Sequence, residues 1–346
     1  STETYNRTET LPHGKILRRA YALLRMTRFE SITPVVHNPG QTTMLKKSLW
    51  HIVVIALATV YLFPLGWMAV SSLHDPRLTT DELLRRLTHP FRNRSDEAIP
   101  TWRPENYREA ILFGQERMAT GAAAPGTLAA LWRSPFRKHL VNTLVIEVLG
   151  VTGMVMASAL AAYGFARIRW PGRNVFFVAT VATMMLPFAV QLVPLYALYR
   201  RLGWIGSLKP LWAPAWFGGA FSIFLLRQFF MRIPNELTDA ARIDGCSEFD
   251  IFLRIVLPLS KPALVVVALF HFMYCWNDFF APLVFLTKPE DFTLALGLHS
   301  FQSAHGGTPW HLLMAAATLI VIPVVVLYFF TQRFFMRGIR MTGVKE

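Results

Sequence analysis

From Arg232 to Ala263 the chain reads RIPNELTDAARIDGCSEFDIFLRIVLPLSKPA, and its acids, glycine and prolines recur at intervals that build a short polar elbow. Asn235 is expected to cap a helix whose first turns hold Glu236 and Asp239, acids favoured by the helix dipole. Gly245, after Asp244, can end that helix in a left-handed conformation. Ser247 with Asp250 three residues on is a capping-box spacing that starts a second helix, with Phe249, Phe252, Leu253 and Val256 on one face. Pro258 closes it and Pro262 opens the next apolar stretch. Local physics leaves two readings of equal weight, a well-capped connector and a docking site for a soluble partner.

The other chemistry-bearing residues are sparse. Asp278 is an acid well inside an apolar stretch, and an ionisable group there is a functional candidate by default. Tyr274, Trp276 and Asn277 beside it are candidates for the same substrate pathway, where the two aromatics could stack on a ligand ring; aromatics also collect at membrane interfaces for amphipathic reasons. A helix-to-helix hydrogen bond from Asp278 is the competing structural reading. His299, His305 and His311 are six apart, on no common helical face, and no H-E-x-x-H occurs, so no metal site is expected. Cys246 and Cys275, the only two cysteines, exclude a disulfide scaffold and a cysteine zinc site. No G-x-x-x-x-G-K-[ST] phosphate loop is present, so the chain is expected to hydrolyse no ATP and to bind no cofactor.

The elements that must position these residues are set by composition. Of 346 residues 53% are hydrophobic and 16% charged, with a mean hydropathy of +0.36, too apolar for soluble domains. The net charge of +14 then belongs to membrane flanks rather than to nucleic-acid binding. Six spans are predicted: Ser48 to His74, His139 to Phe165, Asn174 to Tyr199, Pro210 to Met231, Pro262 to Thr287 and Leu312 to Phe330. Gly153, Ala157 and Ala161 form a small-residue face on the second. Pro187 and Pro194 are expected to kink the third. Lys and Arg number 20 on the side bearing the termini and 15 on the other. Most of the latter lie in the long loop 75–138, where the positive-inside rule loses force, so both termini are expected in the cytoplasm. The domain plan is a cytoplasmic tail 1–47, the first span 48–74, an extracytoplasmic loop 75–138, a five-helix core 139–335 carrying the elbow 232–262, and a tail 336–346. Ile16 to Met26 is too short and too arginine-rich for a signal peptide and reads equally as an interfacial amphipathic helix or a basic tail.

The order Asp239-Ala240-Ala241, Asp244-Gly245, Ile255, Leu257-Pro258 and Pro262 resembles the signature loop of ABC-importer membrane subunits, Glu-Ala-Ala followed by Gly. Asp replaces the usual Glu, and Cys246 stands where Ala is frequent. From Trp102 to Glu346 the chain is similar to the smaller permease of the maltose-type carbohydrate importers. Its supports are Pro104-Glu105-Asn106-Tyr107, Asn142-Thr143-Leu144, Trp276-Asn277-Asp278 with Pro282-Leu283, and Thr342-Gly343-Val344-Lys345.

That resemblance implies an all-α integral membrane fold with six transmembrane helices, of the type I importer class, in the cytoplasmic (inner) membrane of a bacterium or archaeon. It implies as partners a second homologous permease, two ATP-binding subunits that use ATP and Mg²⁺, an extracytoplasmic solute-binding protein and membrane lipid. Glu236 to Gly245 becomes a coupling helix seated in a cleft of the ATPase, with Pro258 and Pro262 shaping the loop. Two alternatives are an ABC permease for a non-sugar solute and an ion-coupled secondary transporter using Asp278 and Glu147. A multi-pass membrane enzyme has no catalytic constellation behind it.

Overall fold

The computed structural model describes residues 39–74, 102–113, 134–302 and 307–340, and for 39–47 and 333–340 the backbone alone. Much of the tails and of the loop 75–138, with the expected interfacial helix and His305, lies outside them. Among the described residues every regular element is helical. The chain divides into two units, 1–62 and 63–346. Helix α1 (Pro39–Ser72) holds the first apolar stretch, and its residues Ser48–Ser72 are long and apolar enough to cross a membrane.

In the second unit, α2 (Glu105–Leu112) closes against the end of α1. The buried Asn106 amide donates to the carbonyls of Ser72 and His74 at 2.9 and 2.8 Å, and the Tyr107 and Ser72 hydroxyls lie 2.6 Å apart. Helix-end carbonyls that would otherwise lack partners are thereby satisfied.

Helix α3 (Pro135–Ala166) is the axis of this unit. Ser134 caps it by accepting from the Arg137 amide at 3.3 Å, and Pro135 occupies the first turn, where its missing N–H is harmless. The small-residue face is real but rotated from the expected one. Gly150, Gly153, Ala159 and Ala162 are buried, whereas Ala157 and Ala161 are half-buried. A Cβ on Gly153 would lie 2.5 Å from the Trp216 ring, so glycine is what lets the segment Ala213–Phe217 approach.

The third stretch is broken rather than kinked. Helix α4 (Arg173–Ala182) runs through a 3₁₀ turn, Thr183–Met185, and turns by 100° into α5 (Phe188–Arg201). Pro187 starts the new helix, and the Gln191 amide donates to the freed Leu186 carbonyl at 2.8 Å. Pro194 stays inside α5 without interrupting it. The fourth stretch is also segmented: a turn at Lys209–Trp212, the 3₁₀ segment Ala213–Phe217, then α6 (Ala220–Phe230) after Gly218 at φ +79°.

The elbow follows as α7 (Asn235–Ile243) and α8 (Glu248–Leu259), the latter carrying a π segment at Phe252–Val256. Pro258 cannot donate to the turn before it, and the backbone widens there. A bend of 79° separates α8 from α9 (Lys261–Trp276). Helix α9 stops one residue before Asn277, and α10 (Phe280–Phe285) and α11 (Leu294–His299) follow, so the fifth stretch is a helix, a break and a short helix. The loop leading to α11 is tied to the start of α3. Asn142 donates to the Glu290 and Phe292 carbonyls at 2.9 and 3.1 Å, and Thr143 accepts from the Leu294 amide at 2.9 Å. Helix α12 (Trp310–Arg340) carries the last apolar stretch. Thus α1, α3 and α12 are unbroken candidate spans, and the remaining three expected spans are interrupted helices.

Candidate functional site

One buried cluster joins the elbow to the bundle. Ala162 and Tyr163 of α3, Leu226 and Phe230 of α6, Ala241 of α7, Ile251 and Val256 of α8 and Val267 of α9 belong to it. The elbow is therefore packed into the core of three apolar helices, and displacement of α7 must repack that core.

Gly245 ends α7 as expected. Its φ is +80°, its amide donates to the Arg242 carbonyl at 3.1 Å, and the Cys246 amide donates to the Ala241 carbonyl at 3.0 Å. These two bonds are a Schellman pair, which needs a left-handed residue at the turn. Ser247 caps α8 by accepting from the Asp250 amide at 3.2 Å and donating to its carboxylate at 2.6 Å. That bond holds the Asp250 pKa below its ordinary value, with Arg254 adding to the effect.

Asn235 does not cap α7. Pro234 occupies that position with extended ψ, and the Asn235 side chain instead accepts from Arg167, which follows the last residue of α3. Arg167 also donates to the carbonyls of Phe230, at 2.6 Å, and of Ile233. One guanidinium thus gathers the end of α6 and the start of α7, and its burial lowers its pKa.

A second tie runs through ion pairs. The Tyr163 hydroxyl donates to Glu248 at 2.7 Å, Glu248 accepts from Arg242 at 2.8 Å, and Arg242 donates to Asp239 at 2.7 Å. The Arg242 bond, then the Tyr163 bond, lowers the Glu248 pKa. Asp239 is therefore engaged within the elbow, while Glu236 and Asp244 make no ion pair among the described residues.

The outward face of α7 consists of Glu236, Leu237, Ala240, Ile243 and Asp244, with Ile243 87% exposed. An apolar strip flanked by acids, on a helix whose other face is anchored, is suited to insertion into a groove. Leu237 and Ile243 were not singled out from sequence, although they share the helical period of Glu236, Ala240 and Asp244. Pro258 lies in the last turn of α8 and Pro262 in the first turn of α9, on either side of the 79° bend.

The candidate pathway residues are dispersed. Tyr274 is exposed, Trp276 is buried against Phe272, and Asn277 donates back to the Met273 carbonyl at 2.7 Å. Asp278 accepts from the Ala281 amide at 3.2 Å, capping the start of α10, so its carboxylate serves the helix break. Glu147 is buried in α3, and its carboxylate oxygens have no hydrogen-bond partner among the described residues.

Residues 126–341 match the family of binding-protein-dependent transport system inner membrane components. The chain belongs to this family. It is similar to the arabinooligosaccharides transport system permease protein AraQ of Halalkalibacterium halodurans, at 34% identity over 59% of this chain and 72% of AraQ. It is also similar to the probable ABC transporter permease protein YurM of Bacillus subtilis, at 30% identity over 86% and 88% of the two chains. The sn-glycerol-3-phosphate transport system permease protein UgpE of Pectobacterium atrosepticum is 36% identical over 62% of this chain and 79% of UgpE. In fold, the chain resembles a crystal structure of a bacterial ABC transporter involved in alginate import, with a TM-score of 0.65 at 20% identity, over 85% of this chain and 98% of that one. The protein is thus a membrane-spanning ABC permease subunit with the type I importer fold, a transport component rather than an enzyme. The family resemblance read from Asp239 to Pro262 is borne out.

Proposed function

We propose that this permease carries a carbohydrate delivered by an extracytoplasmic binding protein, and that α7 couples the movement to ATP hydrolysis on separate subunits. The observation that carries the coupling reading is the shared core of α7, α8, α3, α6 and α9, which gives a push on the elbow a direct mechanical route into the bundle. In this reading two ATP-binding subunits use ATP and Mg²⁺, one of them receives Glu236, Leu237, Ala240, Ile243 and Asp244 in a cleft, and a second permease completes the pathway. Both termini and the elbow face the cytoplasm, in keeping with the basic loops at 167–173 and 227–261.

The carbohydrate reading rests on the named substrates of the relatives, arabino-oligosaccharides above all. A phosphorylated polyol is the second reading, favoured by the glycerol-3-phosphate permease among them. The test is to purify the chain with its partners, reconstitute the complex with its binding protein, and measure ATPase stimulation by a panel of oligosaccharides and by glycerol 3-phosphate. Stimulation by a sugar supports the proposal. Stimulation by the phosphorylated polyol alone selects the second reading, and full ATP-driven uptake by this chain alone refutes the coupling scheme.

A further inference from the structure

At the turn from α3 into α4, Arg169, Trp170, Gly172, Arg173, Asn174 and Val175 line an open recess of about 330 Å³. Among the described residues its charge has no ion-pair partner. Arg169 makes no hydrogen bond or ion pair among the described residues, and Arg173 spends one N–H on the Ile168 carbonyl at 3.3 Å. The carboxylates on the neighbouring recess that Arg169 and Arg173 also line, Asp239 and Glu248, are both bonded to Arg242.

Trp170 is held in place on the same rim. Its indole N–H donates to the Gly164 carbonyl at 3.2 Å, and its ring lies 5.9 Å from Phe165 and 5.7 Å from Phe176. Just beyond Arg173 the surface becomes apolar, with Val175 72% and Val178 65% exposed on α4. Two guanidinium groups with no ion-pair partner among the described residues, a fixed tryptophan on their rim and an apolar strip beginning within one helical turn match the order of groups in a phospholipid: phosphate, glycerol, acyl chain.

We propose that this recess binds the phosphate of an anionic phospholipid, with an acyl chain along the exposed face of α4. The shared wall of Arg169 and Arg173 sets the bound lipid beside Asp239 and Arg242 of the elbow. Lipid occupancy then biases the coupling helix. The site rests on the chain's embedding in the membrane and stands whether or not α7 docks an ATPase.

The experiment uses the assembled transporter and a photoactivatable phosphatidylglycerol, with photoactivatable phosphatidylcholine as the neutral control. Crosslinks from phosphatidylglycerol should map to peptides spanning 165–178 and exceed those from phosphatidylcholine. Arg169→Gln and Arg173→Gln should each lower that preference on the order of fivefold, and the double Lys variant should retain most of it. Monodisperse elution of each complex checks the fold. Three results would overturn the proposal: an unchanged lipid preference in the double Gln variant, displacement of the lipid by inorganic phosphate alone, or loss of the ATPase subunits with lipid capture unchanged. The last would assign the two arginines to a protein carboxylate.

Discussion

Glu248 shows how one side chain ties the elbow to the bundle, because it accepts from both Tyr163 on α3 and Arg242 on α7. Its folded-state pKa lies below the ordinary 4.5, with the Arg242 bond as the largest cause. A depressed carboxylate contributes stability that is fully present above its unfolded value and is lost as pH falls through the lowered one. Hydrogen-exchange protection of the amides from Cys246 to Ile251 should therefore hold down to about pH 4.5 and decline only below it. Glu248→Gln should weaken that protection at neutral pH and shrink the acid step to the part that Asp250 carries; an unchanged acid step would show that Glu248 does not contribute to it. Asp239, proposed as a coupling acid, also pairs with Arg242 within the elbow while its side chain stays exposed. Glu236 and Asp244 are likewise exposed and make no ion pair among the described residues.

At the scale of elements, Arg167 joins three helices by donating to the Phe230 and Ile233 carbonyls and to Asn235. Arg167→Gln should destabilise the subunit by about 2 to 3 kcal/mol, since bonds to a charged donor are lost and buried carbonyls are left unpaired. Arg167→Lys should recover only part, because an ammonium lacks the planar fork. Urea unfolding of the purified subunit in detergent measures both, and equal stability of all three proteins would contradict the clamp. Asp278→Ala should cost about 1 kcal/mol through loss of the α10 cap, with Asp278→Asn nearly neutral. A strong transport defect in the Asn variant at unchanged stability would return Asp278 to the pathway. The features legible in the sequence were those whose causes are local: Gly245 ending α7, Ser247 and Asp250 starting α8, Pro187 interrupting the third stretch. Asn235 misled because its competitor, Arg167, is 68 residues away, and Tyr163 is 85 residues from Glu248. The breaks at Gly218 and Asn277 were hidden because uncharged length records apolarity, whereas helix continuity depends on φ and on side chains that cap from the flanks.

For the whole molecule, the amphipathic helix α7, proposed to dock the ATPase, is fixed to α3 by a common core and two polar ties. Such an arrangement is suited to transmit motion, because packed cores switch between arrangements rather than deform continuously. Whether α7 carries this motion, as proposed, can be tested at Gly245, where a Cβ meets open space. Among the described residues, its two chain neighbours aside, nothing lies within 4 Å of where a Cβ would be at Gly245, so the strain of a Cβ there falls on the backbone. A β-branched residue at φ +80° carries strain of about 1 to 3 kcal/mol, enough to shift the exit of α7 while leaving insertion into the membrane intact. The measurement is solute uptake per ATP hydrolysed in reconstituted complexes carrying Gly245→Val or the unmodified chain. If α7 is the coupling helix, Gly245→Val gives normal assembly of the membrane subunits, weakened ATPase docking and a several-fold fall in that ratio. An unchanged ratio with unchanged docking would contradict it and leave the elbow as a well-capped connector.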